Sequence, residues 1–115
     1  MDIEITAATG KPEVNVVRIS GRLDAATYEA AQPVILEALG KGPAGLILNM
    51  GDLDFMSSAG LRTMLIVWKQ ATAEGKRIAV VDVQPQIYKI FKIAALDKVF
   101  RLFDDEGEAI RELWP

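Results

Sequence analysis

Residues 53–65 read L-D-F-M-S-S-A-G-L-R-T-M-L, and the rest of the chain takes its meaning from them. Immediately upstream, Leu46-Ile47-Leu48-Asn49-Met50 is a short apolar run of the kind a buried strand needs. Downstream, Leu61, Met64, Leu65 and Trp68 recur at i, i+3, i+4 and i+7, which predicts a helix from Ser58 to about Ala73 with that stripe buried. Ile66 and Val67 fall off the stripe, so the outer face beside Arg62 and Lys69 is a candidate contact surface. Two hydroxyls, Ser57 and Ser58, stand at the junction. A helix start presents unpaired N–H groups and the positive end of the dipole. Ser58 therefore reads either as an N-cap or as a phosphorylation switch whose phosphate the helix start would tolerate.

Working outward, the chain resolves into alternating patterns. Ile3 and Ile5 mark a first strand within Met1 to Ala7, Thr9-Gly10-Lys11-Pro12 a turn, and Val14 to Ser20 a second strand, together a hairpin. Asp24 is placed to cap a helix from Ala25 to about Leu39, closed by Gly40. Gly40 to Gly45 fits G-x-G-x-x-G literally, but it follows a helix and opens a strand, the reverse of a dinucleotide fingerprint. It reads as a helix-to-strand loop. Ile78 to Val81 is a buried strand, Pro85 opens a helix with Ile87, Ile90, Phe91 and Ala94 inward, and Val99 to Phe103 suits a last edge strand. Glu106 to Trp114 is a final helix anchored by Ile110, Leu113 and Trp114. Helix crossovers require parallel strands, so the expectation is a small mixed sheet. Each helix has one apolar stripe, and coverage of a single sheet face would suffice.

Composition removes several chemistries. The 115 residues make one domain. With no Cys and no His, a cysteine zinc site, a thiol nucleophile and a Ser-His pair are excluded. Net charge is −3 and no Lys/Arg stripe appears, which argues against nucleic acid. No apolar run is long enough to span a bilayer, so membrane insertion is not expected. Asp2 and Glu4 stand where a secretory leader would carry basic residues, so the expected address is cytoplasmic. Asp52 and Asp54 follow the central strand, where receiver-type phosphoaspartate sites lie. The other strand ends supply neither the acidic pair nor the lysine that such Mg²⁺ chemistry needs. A protein partner is the better expectation, with no cofactor and no catalysis.

The same residues resemble a known family. Gly21-Arg22-Leu23-Asp24 resembles the G-x-[LI]-D of STAS-domain anti-sigma factor antagonists, and Leu48-Asn49-Met50 through Met56 resembles their central strand and turn. Ser57-Ser58-Ala59-Gly60-Leu61-Arg62 resembles their signature, and Pro85 to Phe91 with Leu96 resembles their third-helix segment. The resemblance implies the α/β STAS fold over residues 1–115, a small mixed β-sheet with about four α-helices. It implies that the unmodified protein binds an anti-sigma factor serine kinase and frees the sigma factor. The kinase would phosphorylate Ser58, and a PP2C-type phosphatase would reverse this. The family's acidic residue before the phosphoacceptor is Ser57 here, itself a second phosphorylation candidate, and its second hydroxyl is Ala59. This variant is similar to STAS scaffolds, including subunits of lipid-transport ATPase complexes, in which Ser58 would be a cap only. The implied partner surface comprises Asp24, Phe55, Met56, Ser57, Ser58, Ala59, Gly60, Arg62, Thr63 and Ile66.

Overall fold

The computed structural model describes every residue from Met1 to Pro115. Strands β1 (Asp2–Ala8) and β2 (Lys11–Leu23) form the expected antiparallel hairpin around Thr9-Gly10, and β2 runs three residues beyond the sequence expectation. Helix α1 (Tyr28–Lys41) leads to β3 (Gly45–Asn49), then β4 (Leu53–Met56), α2 (Ser58–Ala73) and β5 (Arg77–Val81). Helix α3 (Pro85–Ile93), a 3₁₀ turn (Leu96–Lys98), β6 (Arg101–Phe103) and α4 (Glu106–Leu113) complete the chain. Strand order is β1-β2-β3-β5-β6, with every pair after the hairpin parallel. Helices connect the parallel neighbours β2-β3, β3-β5 and β5-β6, as parallel pairing requires.

Strand β4 is an element that periodicity did not show. Leu53–Met56 pairs in parallel with Gly21–Leu23, the far end of β2, once β3 has left off at Arg18. The ladder slips between Gly21 and Arg22, and Gly21 takes φ +87° there, a conformation only glycine adopts freely. One long strand thus carries two neighbours in succession.

Alternation along the strands builds two cores. Val17, Ile19, Leu46, Leu48, Ile78 and Val80 point to the face covered by α1, α2 and α3. Val14, Val16, Ile47, Ala79 and Val81 point the other way, against Ala109, Leu113 and Trp114 of the C-terminal segment. The single-face expectation is therefore corrected: α4 crosses to the opposite face because the strands are apolar on both sides, as buried parallel strands are. Each fully buried Val, Leu or Ile among these contributes about 1.5–3 kcal/mol over its exposed state. At the α4 start, Glu106 accepts hydrogen bonds from Arg18 (2.9 Å) and Asn49 (2.8 Å), tying the helix to the sheet.

Two helix boundaries also move. Helix α1 begins at Tyr28 rather than Ala25, because Asp24 Oδ1 accepts from Ala26 N–H (3.0 Å) and holds residues 24–27 in a turn. Gly40 lies inside the helix; the chain leaves it at Gly42, where a Cβ would meet Gly45 O at 2.6 Å.

Candidate functional site

The serine loop owes its position to the end of β2. Ser57 N–H donates to Leu23 O (3.0 Å), and Met56 pairs with Leu23, so the residue before α2 is pinned to the sheet. Gly60, in the first turn of α2, packs against the same point. A Cβ there would lie 2.6 Å from Leu23 O and 2.7 Å from Met56 Cγ. Only glycine lets the helix start this close to the strand, which brings the serines beside the Asp24 turn.

The two serines differ sharply. Ser57 is the N-cap residue with extended backbone, and Leu61 N–H donates to its carbonyl (2.9 Å), yet its side chain caps nothing. Its Oγ is buried without a partner. Ser58 is the first helical residue, exposed to solvent, so the cap reading of Ser58 is corrected. One turn on, Arg62 places its guanidinium 5.6 Å from the centre of the Tyr28 ring. Ser58, Ala59 and Arg62 face Ala25, Tyr28 and Glu29 across a shallow depression between the starts of α1 and α2. The helix carries no acidic residue in its first turn, so its N-terminal field is not offset within α2.

Asp24 and Phe55 border the same loop through Arg22. Arg22 stacks over the Phe55 ring (4.3 Å to its centre) and pairs with Asp24 (3.3 Å). Thr27 Oγ1 accepts from Asp24 N–H (2.9 Å) and donates to Arg22 O (2.9 Å), closing the turn. The Asp24 carboxyl is held below the usual aspartate range, chiefly by the Ala26 N–H; partial desolvation opposes this, and Arg22 and Thr27 reinforce it.

Of the ten residues expected at the partner surface, three face inward. Met56, Gly60 and Thr63 are buried, and Thr63 Oγ1 donates to Gln32 Oε1 of α1 (3.1 Å). They hold the loop rather than present it. Asp24, Phe55, Ala59 and Ile66 are partly exposed, as is the Ser57 residue, while Ser58 and Arg62 are exposed. The α2 stripe is rotated from the expected one: Gly60, Thr63, Met64, Val67 and Ala71 are buried, whereas Leu65 is exposed. Arg22, Tyr28 and Glu29 were not foreseen. The signal for Arg22 lay in its place inside Gly21-Arg22-Leu23-Asp24; nothing local marked Tyr28 or Glu29. No three carboxylates converge as metal ligands, and Asp52 and Asp54 are solvent-exposed.

Comparison with known proteins agrees with this architecture. The family model described as STAS domain matches residues 6–109. The anti-sigma F factor antagonist of Paenibacillus polymyxa is 32% identical over 101 residues, covering 87% of this chain and 86% of that protein. The anti-sigma factor antagonist SpoIIAA, solved in its unphosphorylated form, superposes with a TM-score of 0.68 at 26% identity, covering 96% of this chain and 94% of that one. The phosphorylated form of the Bacillus cell fate determinant SpoIIAA gives a TM-score of 0.70 at 23% identity, covering 96% and 98%. The chain belongs to the STAS-domain family of anti-sigma factor antagonists.

Proposed function

We propose that this chain is an anti-sigma factor antagonist that switches partners through Ser58. The unmodified form binds an anti-sigma factor serine kinase over Asp24, Phe55, Ser57, Ser58, Ala59, Arg62 and Ile66, and so releases the sigma factor. Phosphorylation of Ser58 by that kinase ends the binding, and a PP2C-type phosphatase restores it. The chain itself catalyses nothing in this cycle and works in the cytoplasm. The observation that carries the reading is the contrast at the loop: Ser58 is exposed at the α2 start, one turn from Arg62, while the Ser57 hydroxyl is buried.

Phosphate on Ser58 adds about −1.5 to −2 charges beside a helix N-terminus, which suits the fold and burdens an interface. An interfacial repulsion of ~2–4 kcal/mol lowers affinity roughly 30- to 1,000-fold. The test is capture from source-organism lysate with wild type and Ser58→Asp, with intact mass and site mapping of the native protein. Capture of a serine kinase by wild type alone, with phosphate mapping to Ser58, is expected. Equal capture of partners by both forms, with no phosphate on the native protein, overturns the switch.

A further inference from the structure

The sheet ends in an open edge at β6, whose second side pairs with no strand. Beside that edge, where β5 and β6 end and α3 begins, lies a groove of about 400 Å³. Val83, Pro85, Tyr88, Leu102 and Phe103 line it, together with the carboxylates Asp82 and Asp104. Tyr88 is 42% exposed, an aromatic ring left on the surface.

The acids of this region divide by what they already do. In the run Asp104-Asp105-Glu106-Gly107-Glu108, Asp105 caps α4 by accepting from Glu108 N–H (2.8 Å), and Glu106 is held by Arg18 and Asn49. Asp82 and Asp104 form no salt bridge. Two cations touch the groove's rings: Lys92 lies 5.7 Å from the Tyr88 centre and Arg101 5.3 Å from that of Phe103. Neither lines the groove, and no other Lys or Arg does. The groove's own lining is thus apolar apart from its two carboxylates.

We propose that this groove and the open β6 edge receive an extended segment of a partner protein that carries lysine or arginine. An extended segment uses its main chain on a free strand edge and its alternate side chains in adjoining pockets. A lysine or arginine stem suits Val83, Pro85 and Leu102, and its charged head suits the two carboxylates. An acidic segment meets repulsion from Asp82 and Asp104. Strand β6 has three residues, so the edge supplies few main-chain bonds and the side-chain pocket must select the partner. The groove shares no lining residue with the Ser58 depression, which makes the two surfaces separable by mutation.

The test is titration of the ¹⁵N-labelled full chain with the peptide acetyl-Val-Arg-Val-Arg-Val-amide, using acetyl-Val-Glu-Val-Glu-Val-amide as control. Saturable shifts are expected at Asp82, Val83, Tyr88, Leu102, Phe103 and Asp104, with the arginine peptide binding at least tenfold tighter than the glutamate peptide. Asp82→Asn with Asp104→Asn weakens the arginine peptide at least tenfold, and Ser58→Asp leaves it unchanged. If the double variant fails to fold, Tyr88→Ala provides the second removal, with an expected loss of at least threefold. Equal binding of both peptides, undiminished binding by the folded double variant or by Tyr88→Ala, or shifts confined to the Ser58 loop overturns the proposal. Equally tight binding of N-acetyl-arginine methylamide overturns the extended segment in favour of a small cation. Concentration-dependent shifts at these residues without peptide overturn it in favour of a second copy of the chain.

Discussion

Asp105 and Ser57 hold the same station, the residue before a helix, and use their side chains differently. Asp105 Oδ1 accepts from Glu108 N–H, satisfying one of the donors that a helix start leaves free. Ser57 Oγ is buried with no partner, so its desolvation is uncompensated. Asp105→Ala is therefore expected to cost about 1 kcal/mol, while Ser57→Ala changes stability by less than about 0.5 kcal/mol or raises it. Urea midpoints of the three proteins check this; a clear loss for Ser57→Ala would mean that its hydroxyl is satisfied after all. Asp24 makes a pH prediction. Its folded carboxyl titrates below the ordinary aspartate value, with the Ala26 N–H as the main cause. A depressed value contributes stability that is present above the unfolded pKa and is lost as pH falls through the folded one. The stability gap between wild type and Asp24→Asn, open at pH 6, should thus close as pH drops below about 4. A gap that persists at pH 2 would assign the difference to the changed turn rather than to the charge. Residue-level reading of the sequence singled out Asp24 and both serines, but Asp24 is not the α1 cap: Thr27 holds that position, and the Asp24 carboxylate closes the turn before it. That reading offered Ser58 as a cap, whereas Ser57 holds the N-cap position and neither hydroxyl caps, because capping depends on side-chain direction, which no spacing rule contains.

At the scale of elements, α2 is where pattern and packing part company. The apolar stripe of Leu61, Met64, Leu65 and Trp68 has helical spacing, and so does the buried set of Gly60, Thr63, Met64, Val67 and Ala71. The two differ by one residue, about 100° around the helix. Packing selects the second because Gly60 and Thr63 are small enough for α2 to approach β2 and α1, a fit that hydropathy does not register. Strand β4 escaped for another reason: four residues, Leu53–Met56, are too few for period-two alternation to stand out, and their partners, Gly21 to Leu23, lie 32–33 residues upstream. The hairpin, the central strand and the bounds of α2 were legible because apolar runs and turn residues coincide there. Gly60 carries the element-scale prediction. A Cβ placed 2.6 Å from Leu23 O has no flexible side chain to displace, so Gly60→Ala must push the α2 start off the β2 end. The expected cost is about 1–3 kcal/mol, read from thermal or urea unfolding. The displaced loop should also weaken partner capture beyond what the remaining folded fraction explains. An unchanged melting temperature would show that α2 does not need this approach.

At the scale of the molecule, the sheet is a partition with different tasks on its two sides. The α1, α2 and α3 side carries the larger core and the Ser58 loop; the other side is covered by Ala109, Leu113 and Trp114. The sequence showed α4 and its anchors but not its side of the sheet, since one apolar stripe fits either face of strands that are apolar on both. Trp114 ties the smaller core together. It is buried, its indole N–H donates to Ala44 O (3.0 Å), and its ring closes on Gly45, where a Cβ would lie 2.8 Å from Cζ2. Trp68 is only partly buried, on the larger core's side. Trp114→Ala should therefore cost about 3–5 kcal/mol, a large share of the roughly 5–15 kcal/mol expected for a whole domain. Trp68→Ala should cost less, because part of its ring already meets water. Because the Ser58 loop lies on the other side of the sheet, Trp114→Ala should leave partner affinity per folded molecule unchanged. Unfolding followed by far-ultraviolet circular dichroism, with binding corrected for the folded fraction, measures both quantities. Loss of affinity in molecules that remain folded would show that the small core reaches through the sheet to shape the Ser58 surface.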